Sequence, residues 1–399
     1  MYIKEPERQI PVTGEYDVAV CGGGVAGVAA ALAAARHGAK VLLIEKQFAL
    51  GGLATLGLVT VYLPICDGMG RQVSFGIAEE LLKVSIKNGW EWKYPDAWLN
   101  GGSLEDKKKH RYEVQYNASV AAILWEQLLL ENGVEILYGT SVCAVQTENE
   151  KITALLIENK SGRQAVKVGA VADCTGDADI CAQSGADTAL FEQKNVLAAW
   201  YYELKNKELT LRPLGYCDGP DKYKKPEQIA KDTRKRYQSI DGKEISDQVI
   251  DMHAWQLKAF LKDGDLSLEH NMTSIGTIPQ VRMTRRIVGE YTMDDTEMHK
   301  EFADSVGMFS DWRKAGPVYE LPLSTLYNKK VKNLAAAGRC ISGTDAMWDI
   351  NRVIPVCAVS GQAVGTALAM NPDLTAIDIT ALQNALRQDG VPLHESELE

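Results

Sequence analysis

Apolar positions along the chain follow two periods. Val18 to Cys21 is an unbroken apolar run between Asp17 and Gly22, the length of a buried strand. Val25 to His37 is almost wholly alanine and valine, which predicts a helix buried against a sheet, with Gly38 at its C-cap. Lys40 to Ile44 is a second apolar run, ending in Glu45. Helical spacing returns over Gly76 to Asn88 and over Ala118 to Asn132, the latter stopped by Gly133. Alternation then predicts strands over Val134–Tyr138, Val142–Thr147, Ile152–Glu158 and Gln164–Ala172. Ile245 to Leu261 is amphipathic and carries His253 and Trp255. Leu334 to Ala337 predicts one more buried strand, and Val356 to Met370 a long small-residue helix with Pro355 in its first turn. Residues 1–15 read as a tail that adds an edge strand.

Buried strands alternating with helices predict an α/β fold with a central parallel sheet of Rossmann type. Between about 190 and 320 alanine and glycine thin out and long charged side chains increase, which marks an inserted α+β region. The expected organisation is a discontinuous nucleotide-binding domain over 1–60, 115–190 and 320–399, with a cap over 61–114 and 191–319. The 399 residues suffice for both. A formal charge of −10, from 53 acids against 43 bases, argues against nucleic acid as a partner. The uncharged stretch Val18 to Ala35 approaches membrane-spanning length, but its glycines and the strand behind it favour the sheet reading, and it starts too late for a signal peptide. A cytoplasmic protein without a membrane span is expected.

Candidate chemistry begins at Gly22, Gly24 and Gly27, a G-x-G-x-x-G turn between the first strand and helix. The first glycine makes the tight turn, the second admits backbone to a pyrophosphate, and the third allows close helix–strand packing. The helix N-terminus favours the negative charge. Glu45, at the end of the second strand, is placed to accept hydrogen bonds from a ribose. NAD and FAD both remain open at this motif. Gly51 and Gly52 free the backbone for close approach behind that acid, with the Thr55 hydroxyl nearby. Thr175-Gly176 in DCTGDAD repeats the strand, glycine turn, helix device, and Gly338-Arg339 follows the last strand. Together these enclose a longer ligand than one βαβ unit needs.

Arg352, ahead of the late helix, and the cluster Arg282, Arg285 and Arg286 are the candidates for anchoring an anionic substrate. In a strand RMTRR, Arg282 and Arg286 would share one face. The basic run Lys107 to Arg111 reads as a solvated loop, with His110 and Arg111 as candidates to face a site. Asp221 to Lys243, dense in both charges, reads as an exposed helix. His253 and His270 read as packed or exposed side chains. The eight cysteines show no C-x-x-C or metal-like spacing, so no metal is expected and most should be buried thiols. Cys66 and Cys217, in ICDG and YCDG, are the two reactive candidates.

The stretches DVAVCGGGVAG (17–27), EKQFALGGLATLGL (45–58), DCTGDAD (173–179), VRMTRRIVGEY (281–291), NLAAAGRCIS and INRVIPVCAVSGQAVGTALA (333–369) resemble the bacterial FAD-dependent oxidoreductases of the glutathione-reductase-like superfamily, near the fumarate reductase flavoprotein branch. The resemblance implies that Gly22, Gly24, Gly27, Glu45, Gly51 and Gly52 hold the ADP half of FAD, with Val25, Ala26, Lys46 and Thr55 also expected to bind the cofactor. It places Val142 by the adenine, Thr175 and Gly176 at the strand-end turn, and Gly338, Arg339 and Pro355 toward the flavin. Residues 46–60 contain no histidine, so FAD is expected to be non-covalent. The implied function is hydride transfer between flavin N5 and a carbon of a small polar or anionic substrate. Alternatives are a flavin subunit of an electron-transfer complex and an NAD(P)H-dependent monooxygenase. No second nucleotide motif is present, so electrons are expected from the substrate or from a separate donor protein, with a separate electron donor or acceptor as a candidate partner.

Overall fold

The computed structural model describes residues 2–216, 226, 235–264 and 266–398. Its centre is a seven-stranded sheet built from β1 (Val12–Cys21), β2 (Val41–Ile44), β3 (Glu135–Leu137), β4 (Ser141–Glu148), β5 (Lys151–Asn159), β6 (Gly162–Asp173) and β7 (Leu334–Ala336). The order is β3-β2-β1-β6-β5-β4, with β7 beside β6. The pairs β1–β2, β2–β3, β1–β6 and β6–β7 are parallel, whereas β4–β5 and β5–β6 are antiparallel. One edge of β6 serves two partners. Its first half pairs with β5 and its last three residues with β7.

Val18 to Cys21 are buried on both faces, as a central parallel strand requires. Val18, Val20, Val41, Leu43, Ala170 and Ala172 point into one core, and Ala19, Cys21, Leu42, Ile44, Val171 and Leu334 into another. The first core is shared with α1 (Val25–Arg36), α2 (Ile77–Ser85), α3 (Ala118–Glu131) and α4 (Ile354–Met370). Helices α1 and α4 cross at backbone contact. A Cβ on Gly361 would lie 2.3 Å from the Ala26 carbonyl oxygen, and one on Gly365 2.2 Å from that of Ala30. The small-residue composition of both helices is therefore a packing requirement.

Within the tail of residues 1–15, expected to add an edge strand, Val12 onward lengthens β1, and there β1 pairs with β6 on one side only, because β2 pairs only with Val18–Cys21. The Lys107–Arg111 stretch is partly helical, over Leu104–Lys109. Ser103 caps it by accepting from the Asp106 N–H, and Arg111 donates to the Trp312 carbonyl. Beyond residue 190 lies a three-stranded antiparallel sheet, with Tyr201–Lys205 between Glu208–Arg212 and His270–Ile275, and a helix over Gly242–Phe260 capped by Asp241. Most of the Asp221–Lys243 stretch, and Cys217, lie outside the described residues. Among those described, no single helix is long and apolar enough to cross a membrane.

The topology fixes where a site can form. Cys21 pairs with Ile44 and with Asp173, and Asp173 pairs with Ala336, so four parallel strands end level. The loops starting at Gly22, Glu45, Cys174 and Ala337 leave the sheet side by side, at the carboxyl edge where open α/β sheets bind ligands.

Candidate functional site

A cavity of 590 Å³ opens along that edge. Its walls include Gly22, Gly24, Val25 and Ala26 from the first loop and the start of α1. Glu45, Lys46, Gly51 and Gly52 come from the second loop, Val142 from β4, Thr175 and Gly176 from the third, and Gly338 and Arg339 from the fourth. Arg282 and Arg352 line it as well.

The glycines fall into two classes. Gly22 has φ +101°, and a Cβ there would sit 2.5 Å from the Cys174 carbonyl oxygen; at Gly27 it would sit 1.8 Å from the Gly22 oxygen. Both are demanded by the fold. Gly24 differs, with ordinary φ −66° and ψ 178° and no heavy atom within 4 Å of a built Cβ. Among the described residues nothing requires glycine at this cavity-facing position. A side chain would project into the space in front of the α1 N-terminus, so the glycine fits a ligand that approaches the backbone there. The second glycine loop lies against the first, with the Gly51 N–H donating to the Gly23 carbonyl at 2.7 Å.

Glu45 is buried, and its two oxygens accept the backbone N–H groups of Gly23 (2.6 Å) and Gln47 (2.7 Å). Each carboxylate oxygen has two lone pairs, so both retain capacity for a ribose hydroxyl. In the third loop buried Asp173 organises the turn. One oxygen accepts the Thr175 N–H (3.1 Å) and hydroxyl (2.7 Å), and the other the Cys181 N–H (2.9 Å). Gly176, at φ +79°, leaves room for Arg339; a Cβ would lie 2.3 Å from its guanidinium. Arg339 in turn donates to the Arg282 carbonyl (2.8 Å) and to Asp177 (3.3 Å). Gly338 bridges the two helix starts, its N–H donating to Ser360 of α4 and its Cα facing Ala26 of α1. Two helix N-termini therefore border one cavity, through Val25 and Ala26 of α1 and Val353 and Ile354 at the start of α4. Both favour negative charge.

Gly27, Thr55, Pro355, Arg285 and Arg286 are not on the wall, nor are His110 and Arg111. Gly27 acts from behind, through the packing just described. Thr55 turns inward to the Leu50 carbonyl oxygen at 2.5 Å. Pro355 sits within the first turn of α4, behind Ile354. Arg286 is the larger correction. The strand covers only Arg285–Ile287, so Arg282 and Arg286 do not share its face. Arg286 stacks 5.8 Å from the Trp348 ring, and burial lowers its guanidinium below the usual arginine range. Arg285 ties down Asp179 at 2.6 Å. Arg282 does face the cavity, bonded to Gln280 (2.6 Å) and 5.5 Å from the Trp200 ring. Arg352 pairs with Asp349 at 2.7 Å.

Sequence reasoning missed the apolar wall: Leu53, Val61 and Leu63, then Ile278, Pro279 and Val281. The alternation in LVTVYLP was the available signal. Cys66 is not a reactive loop thiol, because it is buried, accepts the Tyr112 N–H, and burial pushes its thiol up. Cys143, expected to be buried, is exposed on β4. His253 is exposed, and His270 is buried against Glu203 at 2.8 Å. Among the described residues no cluster of histidines, cysteines and acids has metal-holding geometry.

The sequence matches the FAD dependent oxidoreductase family over residues 17–197 and 198–386. The chain belongs to that family. Its cofactor is FAD, in agreement with the glycine loops and the acid they surround. Among curated proteins it is 37% identical over 71 residues to a thioredoxin reductase of Ureaplasma parvum, covering 18% of this chain and 23% of that protein. It is 56% identical over 185 residues to a vinyl phenol reductase of Lactiplantibacillus plantarum, covering 40% and 38%. The chain thus spans well under half the length of these two relatives. A geranylgeranyl bacteriochlorophyll reductase-like protein of Thermoplasma acidophilum aligns with 94% of this chain and 83% of its own, at 15% identity and a TM-score of 0.48.

Proposed function

We propose that this FAD-dependent oxidoreductase exchanges a hydride with a carbon of a small anionic molecule held beside Arg282 and Arg352, and that its FAD is bound without a covalent bond. The supporting observation is a single wall that joins the glycine loops at the strand ends to these two arginines. Bound FAD supplies the redox chemistry, a ring nitrogen that takes or gives the hydride. The chain's own residues receive and orient. Backbone N–H groups at the start of α1 would hold the pyrophosphate, the remaining lone pairs of Glu45 would accept from the ribose, and Val142 and Ser141 would receive the adenine. At the other end the first turn of α4 favours negative charge on the reduced ring. Arg282, fixed by Gln280 and Trp200, binds the anionic group of the substrate.

The wall offers no histidine, and its Cys357 thiol is pushed up to about 12 by burial, a poor nucleophile for flavin attachment. Acid precipitation should leave the yellow colour in the supernatant; colour in the pellet would count against non-covalent binding. The segment 191–319 acts in this reading as the substrate cap, since it contributes Ile278, Pro279, Val281 and Arg282. A separate donor or acceptor completes the electron balance. The partial likeness to a vinyl phenol reductase supports reduction of a substrate, with the reduced flavin oxidised back to FAD. The finer affinity, in our reading, is with the fumarate reductase flavoprotein branch of the glutathione-reductase-like superfamily. The test is anaerobic: chemically reduced holoprotein mixed with unsaturated acids should regain its oxidised flavin band with at least one of them. A reduced flavin reoxidised by none of them, and an oxidised one bleached only by NADPH, would favour a monooxygenase.

A further inference from the structure

Three segments outside the glycine loops carry apolar side chains onto the cavity wall, the last of them at the start of α4. Val59, Val61 and Leu63 alternate along one stretch and face the cavity, while Thr60 and Tyr62 between them are turned into the protein and fully buried. Ile278, Pro279 and Val281 form the second side, in the loop that leads directly to Arg282. That loop is fastened to the chain just before the first row. The Thr277 N–H donates to the Leu56 carbonyl (2.8 Å), and the Gln280 amide to that of Gly57 (2.9 Å). Val353 and Ile354, next to Arg352, form the third.

Charge is distributed unevenly over the wall. Its carboxylates, among the described residues, are Glu45, Asp177 and Asp179, all from sheet-end loops and none from these three segments. Each is engaged there: Glu45 with two N–H groups, Asp177 with Thr284 and Arg339, Asp179 with Arg285. These three segments therefore present aliphatic surface beside the guanidinium groups of Arg282 and of Arg352, the latter paired with Asp349. A hydroxyl-rich or twice-charged molecule would leave polar groups against valine and leucine without partners, which is costly, whereas an apolar body gains by leaving water.

We propose that the substrate is an organic acid with an apolar body, a single carboxylate or phenolate carried by a ring or branched hydrocarbon. This narrows the polar or anionic molecule expected from sequence, and it rests on the reading that the Arg282 end receives the substrate. Unreactive probes test it at equilibrium. FAD-loaded protein would be titrated calorimetrically, and by perturbation of the flavin absorption band, with phenylacetate, cyclohexylacetate, succinate and 2-phenylethanol. The two monoacids should bind about tenfold or more tighter than succinate and than the neutral alcohol, the scale on which an apolar pocket discriminates. Val61→Thr, close to isosteric, should weaken phenylacetate several-fold and leave succinate unchanged; Leu63→Asn serves if that variant does not fold. Succinate binding as tightly as the monoacids, or a variant that weakens both alike, would overturn the proposal. The reading beneath it fails differently: phenylacetate would bind, yet no acid would exchange electrons with the flavin anaerobically.

Discussion

The two ends of the cavity are made of different material, and they respond differently to change. At the glycine end, backbone does the recognising. Gly22, Gly24, Gly51, Gly52, Thr175 and Gly176 bring main chain to the wall, and the main side chain there, Glu45, is locked by two backbone donors. At the arginine end, side chains from three distant segments meet, and the backbone stands behind them. A backbone site tolerates almost no added atoms but is indifferent to many side chains. A side-chain site is retuned by single substitutions and keeps its fold.

The largest effect should come from Gly27→Ala. A methyl 1.8 Å from the Gly22 oxygen forces helix and loop apart, so we expect a loss of ~3 kcal/mol or more, measured by denaturant unfolding, and no retained flavin. Parent-like unfolding with full flavin would break the distinction between the ends. Arg282→Met should do the reverse, keeping flavin content and unfolding midpoint while raising KM for an anionic substrate by about 10- to 100-fold, the loss of a charge-assisted hydrogen bond. Steady-state kinetics with flavin quantitation separates the two.

Glu45→Gln should fall between them. An amide presents only one oxygen, so one of the two N–H groups loses its acceptor, and apo-protein stability drops by about 1–3 kcal/mol. FAD affinity weakens as well, read by fluorescence titration. The smallest effect concerns thiols. Burial raises Cys66 above the ordinary thiol value and Cys357 to about 12, so at pH 8 both remain protonated and slow to alkylate. Peptide mapping after brief native alkylation should find Cys143 modified and those two intact.

The same contrast explains what was legible in the sequence. The glycine end is written in consecutive residues whose spacing follows from backbone geometry, so strand, turn, helix and acid could be read off residues 17–45. Level strand ends then bring in the turns at Thr175 and Gly338. The arginine end offers no such rule. Arg282 and Arg286 are equivalent in sequence, and what separates them is that the strand begins at Arg285, which turns Arg286 toward Trp348. The apolar walls come from residues 53–63 and 278–281, whose meeting depends on hydrogen bonds between Leu56, Gly57 and the later loop. Likewise β1 is ten residues long because its outer half pairs with β6, a partner about 150 residues away that local pattern does not reveal.

If the space in front of the α1 N-terminus is kept clear for the cofactor, a change at Gly24 alone reveals it. Its φ and ψ are open to non-glycine residues, and among the described residues no atom crowds its Cβ. The measurement is the FAD dissociation constant of Gly24→Val beside the thermal midpoint of its apo-protein. We expect the midpoint to stay within about 2 °C of the parent, and FAD binding to weaken by about 100-fold or more. Parent-like FAD affinity in a folded Gly24→Val protein would contradict the account.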